Sequence, residues 1–198
     1  MNETGVVKFH YEATGGDLAP FPGFEKLNAA RQELRRLGLL GVDASGIGFG
    51  NISLRDGATD SFYITGTGTG ALPALDLPDL AKVSAWDFER NWLRCEGRAL
   101  ASAESLTHAA VYAAAKEVRV VVHGHDSNLW RNLRDRGLAT RSDVAYGTPE
   151  MALEVQRLFR QTDVESRKIF AMSGHTDGIV AFAQDFDEAL AVLAKAGP

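Results

Sequence analysis

His123 and His125 flank a single glycine at the end of the apolar run 118–122, and this is the spacing in the chain best suited to chemistry. Alternate residues of a strand point to one face, so two imidazoles in a His-x-His would leave the strand end side by side and could share one metal ion. The alternative is two rings that merely pair with backbone or with a carboxylate. A third nitrogen ligand would decide between them, and His175 is the candidate, because it lies between the strand-like runs 169–172 and 178–182. Three histidines leave a tetrahedral ion one open position, which suits catalysis more than a purely structural site.

Upstream, Ser102-Ala103-Glu104-Ser105-Leu106-Thr107-His108 opens a helical stretch expected over 104–116. A carboxylate in a first helical turn is favoured by the helix dipole, so Glu104 alone could be an ordinary solvated charge. Placed beside a metal it becomes an acid/base group. His108 follows four residues later on the same helix face and is read as structural, or as a support for a ligand, rather than as a ligand. Asp126 directly follows His125 and is read as the cap of a helix over 127–136. His10, in a polar N-terminal stretch, is read as outside the site.

The glycine-rich segment 65–70 (Thr65-Gly66-Thr67-Gly68-Thr69-Gly70) follows a strand expected over 61–65 and offers backbone amides and small hydroxyls to an anion. A plain turn is the alternative. No helix with a lysine follows at the spacing of a nucleotide-triphosphate loop, which excludes that reading.

Six short motifs occur in one order: Gly50-Asn51-Ile52-Ser53, Ile64-Thr65-Gly66-Thr67-Gly68, Ser102-x-Glu104 with His108, His123-x-His125, Ala145-Tyr146-Gly147-Thr148 and Gly174-His175-x-x-Gly178. That order resembles the class II aldolase/adducin family over about residues 24–194. The resemblance implies a divalent metal, usually zinc and otherwise manganese, iron or cobalt, held by His123, His125 and His175. It implies Glu104 as the acid/base residue and a phosphate pocket at Asn51, Thr67, Gly68 and Ser102. Family aldolases usually carry two serines before the glutamate, and Ala103 stands at the second, so one hydroxyl donor to a phosphate is missing here.

The activity implied is a metal-dependent lyase that cleaves or forms a carbon–carbon bond beside a carbonyl in a small hydroxy-ketone or sugar phosphate. An enediolate must be stabilised, by a Lewis acid, while a carboxyl moves the proton. Dehydratase, epimerase or decarboxylase chemistry would use the same groups. A non-catalytic, adducin-like interaction domain is the alternative of a different kind. Family aldolases are typically homotetramers with sites near subunit boundaries, so Tyr146 is weighed both as a group lent to a neighbour and as a packed side chain.

The chain must also build the frame for these residues. With 198 residues of which 45% are hydrophobic, it can bury a substantial core, and one domain is expected, with 1–22 an irregular N-terminal segment. A net charge of −5 without basic clusters argues against nucleic acid and anionic membranes as partners. The lone Cys95 excludes an internal disulfide and a cysteine zinc site; together with the lack of a signal-like or membrane-spanning run, it places the protein in the cytoplasm by expectation.

Leu27, Ala30, Leu34 and Leu37 predict a helix over 24–37. Strands are expected at 48–55 and 61–65, joined through Asp56-Gly57, and a hairpin at 83–95 turning at Asn91. A helix capped by Thr148 with Pro149 at its first position, two strands around His175, and a last helix over 185–196 complete the pattern. Helices alternating with short strands indicate an α/β layered class. The family likeness sharpens this to three α/β/α layers around a largely antiparallel sheet.

Overall fold

The computed structural model describes residues 6–196. In chain order it contains β1 (His10–Thr14), α1 (Phe24–Arg36), β2 (Gly41–Val42), β3 (Gly48–Phe49), β4 (Asn51–Arg55), β5 (Phe62–Thr65), β6 (Leu80–Asp87) and β7 (Trp92–Glu96). These are followed by α2 (Ser105–Ala114), β8 (Val120–His125), α3 (Ser127–Asp135), α4 (Pro149–Gln161), α5 (Val164–Arg167), β9 (Ile169–Ala171), β10 (Gly178–Ala183) and α6 (Phe186–Ala196). Eight strands form one sheet in the order β1-β7-β6-β5-β4-β8-β10-β9, and β2 pairs with β3 separately. Every pairing in the large sheet is antiparallel except β1 with β7.

Helices cover both faces, as the α/β/α expectation requires. α1 and α6 pack together against β4, β8 and β10, while α2 and α4 pack on each other, with α2 against β6. Phe159 of α4 meets Phe182 of β10 at 5.1 Å between ring centroids, which fixes the face that α4 covers. Because β8 lies in mid-sheet with both faces covered, it reads Val120, Val121, Val122 without alternation, and all three are buried.

The helix over 24–37 ends one residue early. Leu27, Ala30 and Leu34 are buried, but Leu37 is exposed, and the chain turns at Gly38 with the Leu39 amide donating to Leu34 O. The strand expected over 48–55 is split, because Gly50 takes a left-handed φ of 78° between β3 and β4. The 83–95 hairpin forms as β6 and β7, turning at Asn91 in the left-handed region. α2 is shorter than expected: Glu104 sits at its N-cap and Ala115 is already extended.

The N-terminal segment is not wholly irregular. Residues 10–14 form the edge strand β1, in register with Trp92–Glu96. All five are exposed, so no apolar alternation announced the strand. Among the described residues no helix is long and apolar enough to cross a membrane.

Candidate metal centre and substrate cleft

Strand register places the first two groups. Asn51 pairs with His123 and Ser53 with Val121, so Asn51, Ser53, His123 and His125 share the sheet face that α2 covers. His175 arrives from the turn between β9 and β10, where its amide donates to Met172 O and its carbonyl accepts from the Gly178 amide. The first residue after that turn must lack a side chain: a Cβ on Gly178 would lie 2.5 Å from His175 Cδ2 and 3.2 Å from His123 Cε1. Glu104 comes from the opposite side, on the turn into α2 that is closed by Ser105 donating to Ser102 O.

These elements bring Glu104 and the three histidines together. The His125 and His175 Nε2 atoms are 3.0 Å apart, and Glu104 Oε1 lies 3.2 Å from Nε2 of both His123 and His175. One ring nitrogen from each histidine falls within 4.8 Å of the others. His123, His175 and Glu104 are buried and His125 is half-buried.

The donor chemistry fits a cation. His123 Nδ1 lies 3.0 Å from Ile179 O. A carbonyl only accepts, so Nδ1 carries the proton and the neutral ring presents a bare lone pair from Nε2. That lone pair faces a carboxylate oxygen, and two more Nε2 atoms face each other beside it. Four electron-rich atoms converge with too few protons to pair them. Burial lowers His123 to about 4 and His125 to about 3, so both rings are neutral at neutral pH. For Glu104, burial acts upward while the three imidazoles act downward, and its carboxyl falls to about 2. That fall draws on imidazolium charge the rings surrender well below neutrality, so a cation at the same point is needed to sustain it. Glu104 Oε2 is buried without a hydrogen-bond partner among the described residues.

An open cleft leads to this cluster. Its wall contains every residue singled out in the sequence for ligand or metal: Asn51, Thr67, Gly68, Ser102, Glu104, His123, His125 and His175. Ala103 lies among them, as does Phe49, whose ring centroid is 5.1 Å from that of His125. Phe49 was missed because an aromatic ahead of Gly50-Asn51 carries no signal of its own. The glycine-rich loop is tied beside the Glu104 turn by Thr67 N donating to Leu100 O and by a bridge between Gly66 and Ala101.

His108 is buried, takes no part in lining the cleft, and holds Ser53 Oγ at 2.7 Å through Nδ1, while Ser53 Oγ also meets Tyr112 OH at 2.7 Å. Asp126 caps α3 by accepting from Leu129 N. Thr148 occupies the cap position of α4, but its hydroxyl donates back to Ala145 O. Tyr146 packs its ring 4.8 Å from that of His175, and its hydroxyl accepts from the Val6 amide. His10 stands exposed on β1, outside the cleft.

A layered α/β fold that presents three histidines and a glutamate at the end of mid-sheet strands defines a candidate metal-dependent enzyme. The chain belongs to the family of the Class II Aldolase and Adducin N-terminal domain, whose model matches residues 34–196. Among solved structures it is similar to an L-fuculose 1-phosphate aldolase, with 19% identity, a TM-score of 0.66, and 90% of this chain and 85% of that one covered. It is similar to the L-fuculose-1-phosphate aldolase of Thermus thermophilus at 22% identity and a TM-score of 0.58, covering 87% and 88% of the two chains. A third, YgbL of Klebsiella pneumoniae, a candidate aldolase/epimerase/decarboxylase, has 19% identity and a TM-score of 0.64, with 87% and 83% covered. These likenesses show a shared fold. A comparison with curated proteins finds no match.

Proposed function

We propose that the chain is a single-domain, metal-dependent lyase that makes and breaks a carbon–carbon bond beside the carbonyl of a small hydroxy-ketone or sugar phosphate. The observation that carries the reading is the convergence of His123, His125 and His175 nitrogens on a buried glutamate whose second oxygen has no partner among the described residues. In this reading the three histidines hold a divalent ion, with zinc proposed for the all-nitrogen set. When bound, the ion supplies Lewis-acid stabilisation to negative charge developing on a nearby carbonyl oxygen.

The remaining work falls to the chain. Asn51, Thr67, Gly68 and Ser102 hold and orient the substrate along the cleft wall. Glu104 moves the proton at carbon: in condensation its carboxylate removes one from the carbon next to the carbonyl, and in cleavage its acid form returns one to the carbon left with the electron pair. Its unpartnered Oε2 is the oxygen available for this transfer. His123 is kept in the required tautomer by Ile179 O. The complete donor set favours this reading over a non-catalytic adducin-like domain. Epimerase, dehydratase and decarboxylase chemistry would draw on the same groups, and product analysis separates them.

The test is Glu104→Gln, screened with hydroxy-ketones and sugar phosphates while metal content is measured by mass spectrometry. The variant should keep its metal and lose turnover by about 100-fold or more. Turnover within a few-fold of the parent protein would sink the role given to Glu104.

A further inference from the structure

The cleft has a polar wall but no Lys or Arg among its lining residues. Two guanidinium groups stand directly behind that wall, on α1. Arg31 Nη2 donates to Thr69 O at 2.7 Å, and Arg35 Nη1 donates to Gly70 O. Thr69 and Gly70 both line the cleft. Arg31 is buried to 1% exposure, makes no ion pair among the described residues, and keeps Nη1 buried without a hydrogen-bond partner. Arg35 is half-buried and likewise has no ion pair among them.

Such a placement is costly without a purpose, since a buried charge normally has an opposite partner. Burial and the like charge of Arg35 lower Arg31 to about 10, with Asp79 opposing, so the group still carries its charge at neutral pH. Asp79, whose Oδ2 accepts from the Asp76 amide, opposes this with its negative charge but forms no ion pair with Arg31. In a trans peptide plane the C=O and the following N–H point opposite ways. Carbonyls drawn toward α1 at 69 and 70 therefore turn the Gly70 and Ala71 amides away from it. The two arginines, together with the Leu72 amide that also donates to Thr69 O, thus hold these peptide planes and place positive charge behind a wall built of glycine, threonine and serine.

We propose that Arg31 and Arg35 are positioning residues for an anionic end of the substrate, a phosphate or a carboxylate, acting through the Thr69 and Gly70 carbonyls on the glycine-rich loop. This rests on the substrate cleft assigned above, and it supplies the attraction that Ala103, lacking a hydroxyl, does not. Both groups act through the loop and by their field, without touching the ligand.

The experiment is a two-dimensional amide NMR titration of the full chain in EDTA, so that phosphate cannot bind a metal, with inorganic phosphate and acetate as separate probes. The Gly68 and Gly70 amides should shift on addition of one or both, and the comparison tells which anion the loop takes. Arg31→Met and Arg35→Met should each weaken that binding by about tenfold, with Arg35→Lys restoring most of it. Arg35→Met serves if Arg31→Met fails to fold. A second readout uses turnover: KM for an anionic substrate should rise in the Met variants while KM for a neutral hydroxy-ketone stays put. No loop shift with either anion, or equal affinity in parent and folded Met variants, overturns the proposal. The NMR arm does not depend on lyase activity, so it can succeed or fail independently of the reaction assigned.

Discussion

Lowering the pH of the metal-free protein should destabilise it steeply between pH 6.5 and about 4, and the buried imidazoles set the size of the effect. Burial lowers His108 and His123 from an ordinary 6.5 to about 4, and His125 to about 3. A histidine whose folded value is depressed stays neutral in the fold while the unfolded chain takes up its proton, so stability is full above pH 6.5 and is lost as the pH falls toward the folded value. Between pH 6 and 5 each ring should contribute a loss of about 1 kcal/mol, and the three together about 3 kcal/mol, a large part of a typical domain's margin. The assay is urea unfolding in EDTA at pH 7.5, 6.5, 6 and 5. His108→Asn, which leaves the three proposed ligands in place, should remove about a third of the fall. Stability that is flat from pH 7 to 5 would refute the reasoning, because it would mean that the rings titrate as they do in the unfolded chain.

Three further substitutions probe the frame of the site. Gly178→Ala drives a methyl to within 2.5 Å of His175 Cδ2, so it should cost about 1–3 kcal/mol and weaken metal binding roughly 10- to 100-fold in a chelator competition. Ser53→Ala strips the buried His108 Nδ1 and Tyr112 OH of a shared partner and should lower unfolding stability by about 2–4 kcal/mol. Tyr146→Phe, whose hydroxyl faces the Val6 backbone, should leave turnover within a few-fold, and a loss of 100-fold would give Tyr146 a catalytic part.

Only part of the cleft was legible locally, since Asn51, Thr67, Gly68 and Ser102 came from the family resemblance and not from their own surroundings. His123 and His125 sit on a mid-sheet strand whose apolar run marks it as buried, and period-two geometry puts them on one face without knowledge of the neighbours. What the sequence hid depends on approach between distant segments. Nothing in Gly178 alone says that two imidazoles lie against it. Nothing in 10–14 says edge strand, since all five side chains are exposed and the pairing is parallel to a strand some eighty residues on. Arg31 did leave a signal that went unread. Leu27, Ala30, Arg31 and Leu34 fall at i, i+3, i+4 and i+7, so a cation occupies the apolar stripe of α1, and a charge on such a stripe needs an explanation in the tertiary structure.

The two ends of the cleft ask for opposite charges, and that polarity constrains a substrate more than either end does alone. At the β8 end, three ring nitrogens and a carboxylate present lone pairs, which favours a cation and, through it, the oxygens of a carbonyl and its neighbouring hydroxyl. At the loop end, backbone amides and small hydroxyls are backed by two guanidinium groups without ion pairs among the described residues, which favours an oxyanion. On the proposed reading, a neutral hydroxy-ketone engages one end only, and a small molecule with an anion at its far terminus engages both. Binding energy from the anionic end can then be spent on holding the reacting carbon at Glu104, so removing the anion from a substrate should lower kcat as well as raise KM. A neutral analogue that turned over with unchanged kcat would show that the loop end merely tethers the molecule.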